Sequence, residues 1–375
     1  MNVGIVTKWF NSGQAVVSRQ LRSALEGSGH RTFILAREGR GPRAGAARPD
    51  DAIWDQPGIT YAPEAEIPLA EYERWSSERE LDAILWDNDY GFEQVQAIRR
   101  RGVRTIGRFV WEHFSDEHAD PARGAYDVIY SLTRAEQQRY RGFGLETPYI
   151  VWGCHPELLE VKPDGAAASR PGAAGSGGDA PEEAGVVRFL VPGSFLGRRK
   201  PLAETLEAFT RTRDPRLRLL LKAQVKRREG MLGEAVGRDS RIELILEDQP
   251  TDEHLRMSAA CDVCLNPIRW EGLGLPLFEA MAFGQPVITN DNPPMNEVVR
   301  DDVNGLLVGA RADGVARSGI TAWTPEIGEL AGAIERLGDD ELRARLAAGA
   351  RATREGERSW ERTVTGFREL LESVA

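Results

Sequence analysis

The feature that most constrains the fold is a short segment in which an apolar strand, a glycine loop and a helix start follow one another. Residues 261–267 have the apolar composition of a buried strand, and residues 277–283 have the spacing and the good helix formers of a helix. Between them runs the sequence Trp270-Glu271-Gly272-Leu273-Gly274-Leu275-Pro276. Pro276 suits the first helical turn, where its missing N–H would have no intrahelical partner. The segment therefore predicts one strand–loop–helix unit of a parallel α/β sheet.

The glycine loop also predicts an anion-binding site. A helix N-terminus presents unpaired backbone N–H groups, and Gly272 and Gly274 let the backbone approach a ligand closely. Glu271 and Glu279 flank the loop, and carboxylates so close to a phosphate would repel it unless they face hydroxyl groups. A sugar offers such hydroxyls. From spacing alone, the alternative is an ordinary βα turn with two solvated glutamates.

A longer pattern surrounds this segment. Glu271 to Glu279 is followed by Ala280-Met281-Ala282-Phe283-Gly284-Gln285-Pro286-Val287-Ile288, by Glu297-Val298-Val299 and by Asn304-Gly305-Leu306-Leu307-Val308. The pattern resembles the donor-sugar signature of retaining glycosyltransferases of family 4, which have the GT-B fold. The resemblance implies that Glu271 faces the transferred sugar and that Glu279 binds the nucleotide ribose. It also implies that the diphosphate and the sugar meet the backbone amides of Gly272, Leu273, Gly274 and Leu275.

A basic turn precedes the glycine loop in the chain. The predicted strand 186–192 leads into a turn that contains Arg198, Arg199 and Lys200. If the sheet is parallel, these cations face the same ligand as the glycine loop and neutralise a diphosphate. The resemblance implies an arginine and a lysine here, and Ser194 stands where the family has its usual arginine. The assignment among the three cations therefore stays open, with Arg199 and Lys200 favoured and a solvated basic turn as the alternative.

The first half of the chain reads as a separate βαβ series. A strand at 2–7, a helix at 15–26 and a strand at 31–36 open it, without the G-x-G-x-x-G of dinucleotide-binding proteins. The resemblance implies that Gly13, in the loop before the helix, contacts phosphate. Pro148 to Val151 reads as the last strand of this half.

Polar residues follow two strands of this half. His113 comes after the predicted strand 105–110, where family members carry a histidine near the donor phosphates and the acceptor; a surface histidine is the alternative, and Glu112 competes for acceptor contact. Asp87-Asn88-Asp89 follows another strand. Two aspartates that flank one residue suggest the metal motif of another glycosyltransferase fold. A solvated turn is commoner, and the resemblance implies no metal in the mechanism, so we interpret the segment as a solvated turn.

Length sets the domain organisation, because 375 residues exceed what one core usually supports. The predicted fold is α/β, with two Rossmann-like domains that are each a parallel sheet flanked by helices, and the resemblance places the donor cleft between them. The predicted parts are an acceptor-binding domain at 1–155, a flexible interdomain loop at 156–185, a donor-binding domain at 186–355 and a C-terminal helix at 356–375 that packs back on the first domain. Thr324-Pro325-Glu326 reads as a helix start.

The amino-acid composition limits which classes of binding partner and which cellular location we expect. A net charge of −10 argues against a general nucleic-acid binder, and the absence of an apolar leader or spanning run predicts a cytoplasmic protein. Three cysteines cannot form a disulfide framework. A cluster of arginines leaves peripheral membrane contact open without indicating it, because a solvated helix end is the commoner role; its members are Arg99, Arg100, Arg101, Arg104 and Arg108.

These observations predict a retaining, metal-independent glycosyltransferase without a cofactor. It would move a hexose-type sugar from a nucleoside-diphosphate sugar to a hydroxyl of a small-molecule, lipid-linked or polysaccharide acceptor. The predicted catalytic groups are Glu271, Arg199, Lys200 and His113. Two alternatives stay open: a non-hydrolysing nucleotide-sugar epimerase, and a catalytically silent nucleotide-sugar-binding partner protein.

Overall fold

The computed structural model describes residues 1–38, 52–163, 185–194, 197–223, 230–247, 249–316 and 318–375. The chain forms two compact units, one of Met1–Gly153 with Trp360–Ala375 and one of Cys154–Ser359. Of the predicted interdomain loop, residues 164–184 lie outside the described residues, whereas Pro156–Leu159 forms a short helix.

The first unit is built on a parallel sheet with the strand order β3-β2-β1-β4-β5-β6. Val3, Ile5 and Val6 of its central strand are fully buried, as expected for a parallel sheet covered on both faces. The strands and helices of this unit, up to its crossing to the second unit, are β1 (Asn2–Lys8), α1 (Gly13–Gly27), β2 (Arg31–Arg37), β3 (Ile59–Tyr61), α2 (Leu69–Glu78), β4 (Ala83–Asp87), α3 (Phe92–Arg100), β5 (Arg104–Arg108), α4 (Ala119–Ala125), β6 (Val128–Ile129) and α5 (Arg134–Gly142).

The second unit repeats this plan with the strand order β12-β11-β10-β7-β8-β9, again parallel. Its elements are α6 (Pro156–Leu159), β7 (Val187–Ser194), α7 (Leu202–Thr210), β8 (Leu217–Ala223), α8 (Gly230–Arg238), β9 (Ile242–Ile245), α9 (Thr251–Ala259), β10 (Val263–Leu265), α10 (Leu275–Ala282), β11 (Val287–Asn290), β12 (Gly305–Val308), β13 (Ala310–Val315), β14 (Thr321–Pro325), α11 (Ile327–Arg336) and α12 (Asp340–Glu355). Single 3₁₀ turns occur at Ala52–Trp54, Asp116–His118 and Met295–Glu297. The predicted class, two parallel sheets flanked by helices, is confirmed.

The chain ends in α13 (Trp360–Val374), which belongs to the first unit. Trp360 packs edge-on against Trp152 with ring centroids 5.4 Å apart, so it anchors this helix within the first unit. The Thr363 hydroxyl accepts a hydrogen bond from Gly153 N and donates one to Val151 O. No helix in the described part of the chain is long and apolar enough to cross a membrane.

Two local predictions are wrong. Pro148 to Val151 is not a strand and makes only one isolated bridge, between Tyr149 and Ser131. Thr324 and Pro325 do not start a helix, because they end β14, which pairs with β13 in an antiparallel hairpin, and α11 begins only at Ile327. An N-cap threonine and a proline are also suited to the end of an edge strand, so the pattern did not distinguish the two structures.

The carboxyl edge of the first sheet contains buried charges. Asp87 is 1% exposed and pairs with Arg108 at 3.0 Å, and Asp89 pairs with Arg37 at 3.1 Å. The interpretation of Asp87-Asn88-Asp89 as a solvated turn is therefore wrong: Asp87 is held by Arg108 of the neighbouring strand β5, and Asp89 by Arg37 of β2.

Glu136 of α5 is a further buried carboxyl group in this unit. It accepts a hydrogen bond from Leu132 N at 2.7 Å and lies 3.3 Å from the Tyr140 hydroxyl. Burial raises the pKa of Glu136 to about 7, although the charge of Arg108 and these hydrogen bonds favour the ionised form.

We expect Glu136→Gln to gain stability relative to the wild type as the pH rises. In the wild type the unfolded chain releases this proton near pH 4.5 and the folded chain only near pH 7, so ionisation destabilises the fold across that interval. The difference in unfolding free energy should grow by roughly 3 kcal/mol in the variant's favour, measured by urea unfolding at each pH. The control is Glu146→Gln, which changes an exposed carboxylate; a pH-independent difference for Glu136→Gln would contradict the expectation.

Candidate functional site

The glycine loop of the second unit connects β10 to α10. Gly274 caps the helix in the left-handed conformation, with φ 85°, and a Cβ there would lie 2.6 Å from Leu277 Cδ1. Both the backbone angle and the close approach require glycine. Pro276 lies in the first helical turn as predicted, and the amides of this turn form an anion-attracting N-terminus.

Glu271 stands at the start of this loop and is 8% exposed. Its Oε1 accepts a hydrogen bond from Gly272 N at 2.9 Å and lies 3.3 Å from Arg199 Nη1. Arg199 belongs to the turn between β7 and α7, and β7 pairs with β10 in the sheet. The fold thus brings together a cation and a carboxylate that are distant in sequence.

Lys200 of the same turn donates a hydrogen bond from Nζ to Asn266 Oδ1 at 2.8 Å. Burial lowers the pKa of Lys200 to about 8; the carboxylate of Glu271 opposes this shift, and the charge of Arg199 adds to it. Lys200 is therefore mostly charged at neutral pH and loses its charge on modest alkalinisation. Asn266, at the end of β10, was missed by the sequence reasoning, because nothing in its local pattern identifies a partner in another turn.

Arg198 differs from its two neighbours. It lies with Arg199 at the centre of a turn that is closed by the hydrogen bond from Lys200 N to Gly197 O, and its side chain is exposed. The sequence left the roles of the three cations open. The structure directs Arg199 toward Glu271 and Lys200 toward Asn266.

Glu279 lies one helical turn into α10 and is half-buried. It lines a small pocket together with His254 of α9, Cys264 of β10 and Pro192 of β7. Burial raises the pKa of Glu279 to about 7, and the carboxylate of Glu157 adds to the rise. A half-buried carboxyl group beside a pocket is suited to hydrogen bonding with neutral hydroxyl groups.

The other two predicted site residues, Gly13 and His113, belong to the first unit. Gly13 is the first residue of α1, and the Ser12 hydroxyl caps this helix by accepting from Ala15 N. The His113 side chain is 51% exposed, and its Nε2 lies 3.9 Å from Glu112 Oε1. Their predicted contacts with the donor and acceptor stay predictions. Among the described residues, no group of three His, Cys, Asp or Glu side chains is placed to hold a metal ion.

Comparisons with known proteins show which sequences and folds this chain is similar to. Residues 189–353 match the family described as "Glycosyl transferases group 1". The chain is 35% identical over 172 residues to a D-inositol 3-phosphate glycosyltransferase of Xylanimonas cellulosilytica, an alignment that covers 46% of this chain and 31% of that protein. The chain thus spans about a third of the length of this relative.

Solved structures share the architecture of the whole chain. A sucrose-phosphate synthase of Thermosynechococcus elongatus aligns with a TM-score of 0.72 at 17% identity, covering 100% of this chain and 98% of that one. The Anabaena protein HepE, solved in complex with UDP-glucose, aligns with a TM-score of 0.70 at 17% identity, covering 100% of both chains. At these identities the likeness establishes the fold, and the fold is GT-B.

Proposed function

We propose that this chain is a retaining glycosyltransferase of the group 1 kind matched by residues 189–353, and that it moves a hexose from a nucleoside-diphosphate sugar to an acceptor hydroxyl. The observation that carries the proposal is the pairing of Arg199 with Glu271 at the N-terminus of α10. The pair supports the proposal because a cation suits a diphosphate and a neighbouring carboxylate suits sugar hydroxyls. The predicted epimerase and the silent binding protein are outcomes that the experiments below distinguish.

In this reaction the donor already carries its leaving group, so the main catalytic task is to stabilise negative charge on the departing diphosphate. Arg199, Lys200 and the amides of the glycine loop supply positive potential at one edge of the sheet. Such preorganised groups act without rearrangement at the moment of bond cleavage. No metal ion and no side-chain nucleophile takes part in the proposed mechanism.

The anomeric configuration of the transferred sugar is retained if the acceptor attacks on the face from which the diphosphate leaves. Glu271 then holds hydroxyls of the transferred sugar, and Glu279 holds the ribose. For Gly13 a contact with phosphate, and for His113 contacts with phosphates and acceptor, stay predictions that the family resemblance implies. The acceptor is a small molecule, a lipid carrier or a polysaccharide, and the first relative, named for an inositol phosphate acceptor, makes polyols the first class to screen.

A thermal-shift panel of UDP, GDP, ADP and dTDP tests donor binding. We expect one diphosphate to stabilise the wild type with or without EDTA, and UDP is the first candidate because HepE binds it. At about 100 times the dissociation constant, a ligand adds roughly 2.7 kcal/mol to stability. Glu279→Ala should respond less at the same concentration, because the ribose loses its acceptor.

Glu253→Ala is the matched control, since it removes an exposed carboxylate from the neighbouring helix α9. It should respond like the wild type. If no diphosphate stabilises the protein, the donor site is refuted. If one does but the donor alone is converted to an epimer, or no acceptor ever gives product, the transferase assignment is replaced by one of the two alternatives.

A further inference from the structure

The hairpin of β13 and β14 stands apart from the six-stranded sheet of the second unit. A two-stranded ribbon is marginally stable by itself and needs contacts elsewhere. β13 is largely exposed, whereas Ala322 and Thr324 of β14 are each 2% exposed. The hairpin therefore packs through β14 and presents β13 to solvent.

Arg269 connects this hairpin to the candidate site through its backbone. Its N–H donates to Arg199 O at 2.9 Å, and its carbonyl accepts from Trp323 N at 2.9 Å. One residue thus bridges the turn that carries Arg199 and the hairpin strand β14. Glu271 follows only two positions later in the chain, so the same backbone segment also sets the start of the glycine loop.

The Arg269 side chain makes a second connection. Its Nη2 donates to Asp313 Oδ2 at 2.9 Å and to the Asp313 carbonyl, and the side chain is 22% exposed. The Thr324 hydroxyl also donates to Asp313 Oδ2, at 2.8 Å. The hydrogen bond from Thr324, followed by the positive charge of Arg269, lowers the pKa of Asp313 below its usual range, so it is ionised at neutral pH.

We propose that Asp313 is a positioning residue for the transfer reaction: through Arg269 it fixes the distance between Arg199 and Glu271. This inference rests on the proposed function. Glu271 is followed by a glycine-containing loop, whose backbone has freedom to move unless something outside it holds the start. Errors of about 1 Å in a reacting geometry can cost about 100-fold in rate, so a hairpin that braces this segment has a catalytic consequence without touching substrate.

Hydrogen exchange tests the bracing without any ligand. In Asp313→Ala, amides of the segment 268–276 should exchange at least about tenfold faster, while the strands of the second sheet stay protected. Arg311→Ala is the matched control, because Arg311 lies on the same strand with its side chain 66% exposed; it should leave exchange unchanged. Equal exchange of segment 268–276 in wild type and Asp313→Ala would overturn the proposal, whatever the protein's activity.

Turnover of UDP-glucose, followed as UDP release, tests the catalytic consequence. Asp313→Ala should lose about tenfold in kcat with little change in UDP affinity, and Asp313→Asn, which keeps an acceptor for Arg269 and Thr324, should recover part of the loss. In a Glu271→Gln background the Asp313→Ala effect should disappear, because both act through one geometry. A loss that persists unchanged in that background would overturn the proposal.

The binding, exchange and turnover measurements distinguish a failure of the proposed function from a failure of the positioning role of Asp313. If the wild type binds no nucleoside diphosphate, the proposed function is refuted. The hydrogen-exchange experiment then still tests whether Asp313 holds the segment 268–276 in place. A wild type that is active while Asp313→Ala retains full kcat refutes the positioning role alone. If Asp313→Ala does not fold, Thr324→Val removes one hydrogen bond to the same carboxylate and is measured instead.

Discussion

The double variant Arg199→Ala, Lys200→Ala is expected to turn over the donor about 100-fold or more slowly than the wild type. In the proposed reaction the hardest step leaves negative charge on a diphosphate, and these two side chains are its nearest cations. Glu271 and Asn266 hold them at 3.3 Å and 2.8 Å before any donor binds. Removing both leaves the loop amides and the exposed Arg198 as the remaining described groups of the proposed site that could stabilise that charge.

The measurement is kcat and KM with the glucose ester of the diphosphate that stabilises the wild type. The matched control is Arg211→Ala, Arg238→Ala, which removes two exposed cations from the second unit and so changes the net charge equally. Arg198→Ala should cost less than either single variant of the pair, because its side chain is exposed. Near-normal turnover of the Arg199, Lys200 double variant would refute the charge-stabilisation mechanism.

The sequence predicted the elements around the glycine loop well because local chemistry determines them. A run of buried apolar residues, a left-handed glycine and a proline in the first turn leave few alternatives to strand, loop and helix, and α10 begins at Leu275. The same holds for α1, where Ser12 caps the helix. In these places local preference and the final fold agree.

The hairpin was missed for the opposite reason. β13 has an exposed, polar sequence with little alternation, so its own pattern does not indicate the pairing with β14 or the contacts of both strands with Arg269. The prediction for Asp87 failed for a similar reason: a carboxylate is ordinarily solvated, and only the fold brings Arg108 close enough to make the burial of Asp87 tolerable. Long-range partners of charged side chains are what a single sequence does not reveal.

The same limit applied to the three cations of the basic turn. Their spacing indicated a diphosphate, but the residues that distinguish them, Glu271 and Asn266, lie about seventy positions further along the chain. Only the parallel pairing of β7 with β10 brings those positions together. The turn was therefore enough to predict a diphosphate as its ligand, but it did not indicate which cation contacts Glu271 and which contacts Asn266.

Glu271→Gln is expected to lose about 100-fold in kcat/KM while binding the nucleoside diphosphate as well as the wild type, or better. Glutamine keeps an acceptor for Gly272 N but removes the charge that faces the sugar hydroxyls. Arg199 then loses its anionic neighbour at 3.3 Å and offers more positive potential to a diphosphate. Calorimetric titration with the diphosphate, alongside steady-state kinetics with the sugar donor, measures the two effects separately.

The pH dependence of diphosphate binding should also differ between Glu271→Gln and the wild type. In the wild type, binding should weaken as the pH rises through about 8, because Lys200 loses its proton there. Glu271 holds the Lys200 pKa up against burial, so its neutralisation lowers that pKa, and the alkaline loss of binding should move to lower pH. Glu243→Gln, which changes an exposed carboxylate on β9, should leave the profile in place. An unshifted pH profile in Glu271→Gln would mean that the charge of Glu271 does not affect the pKa of Lys200. That result would contradict the proposal that both residues belong to one donor site.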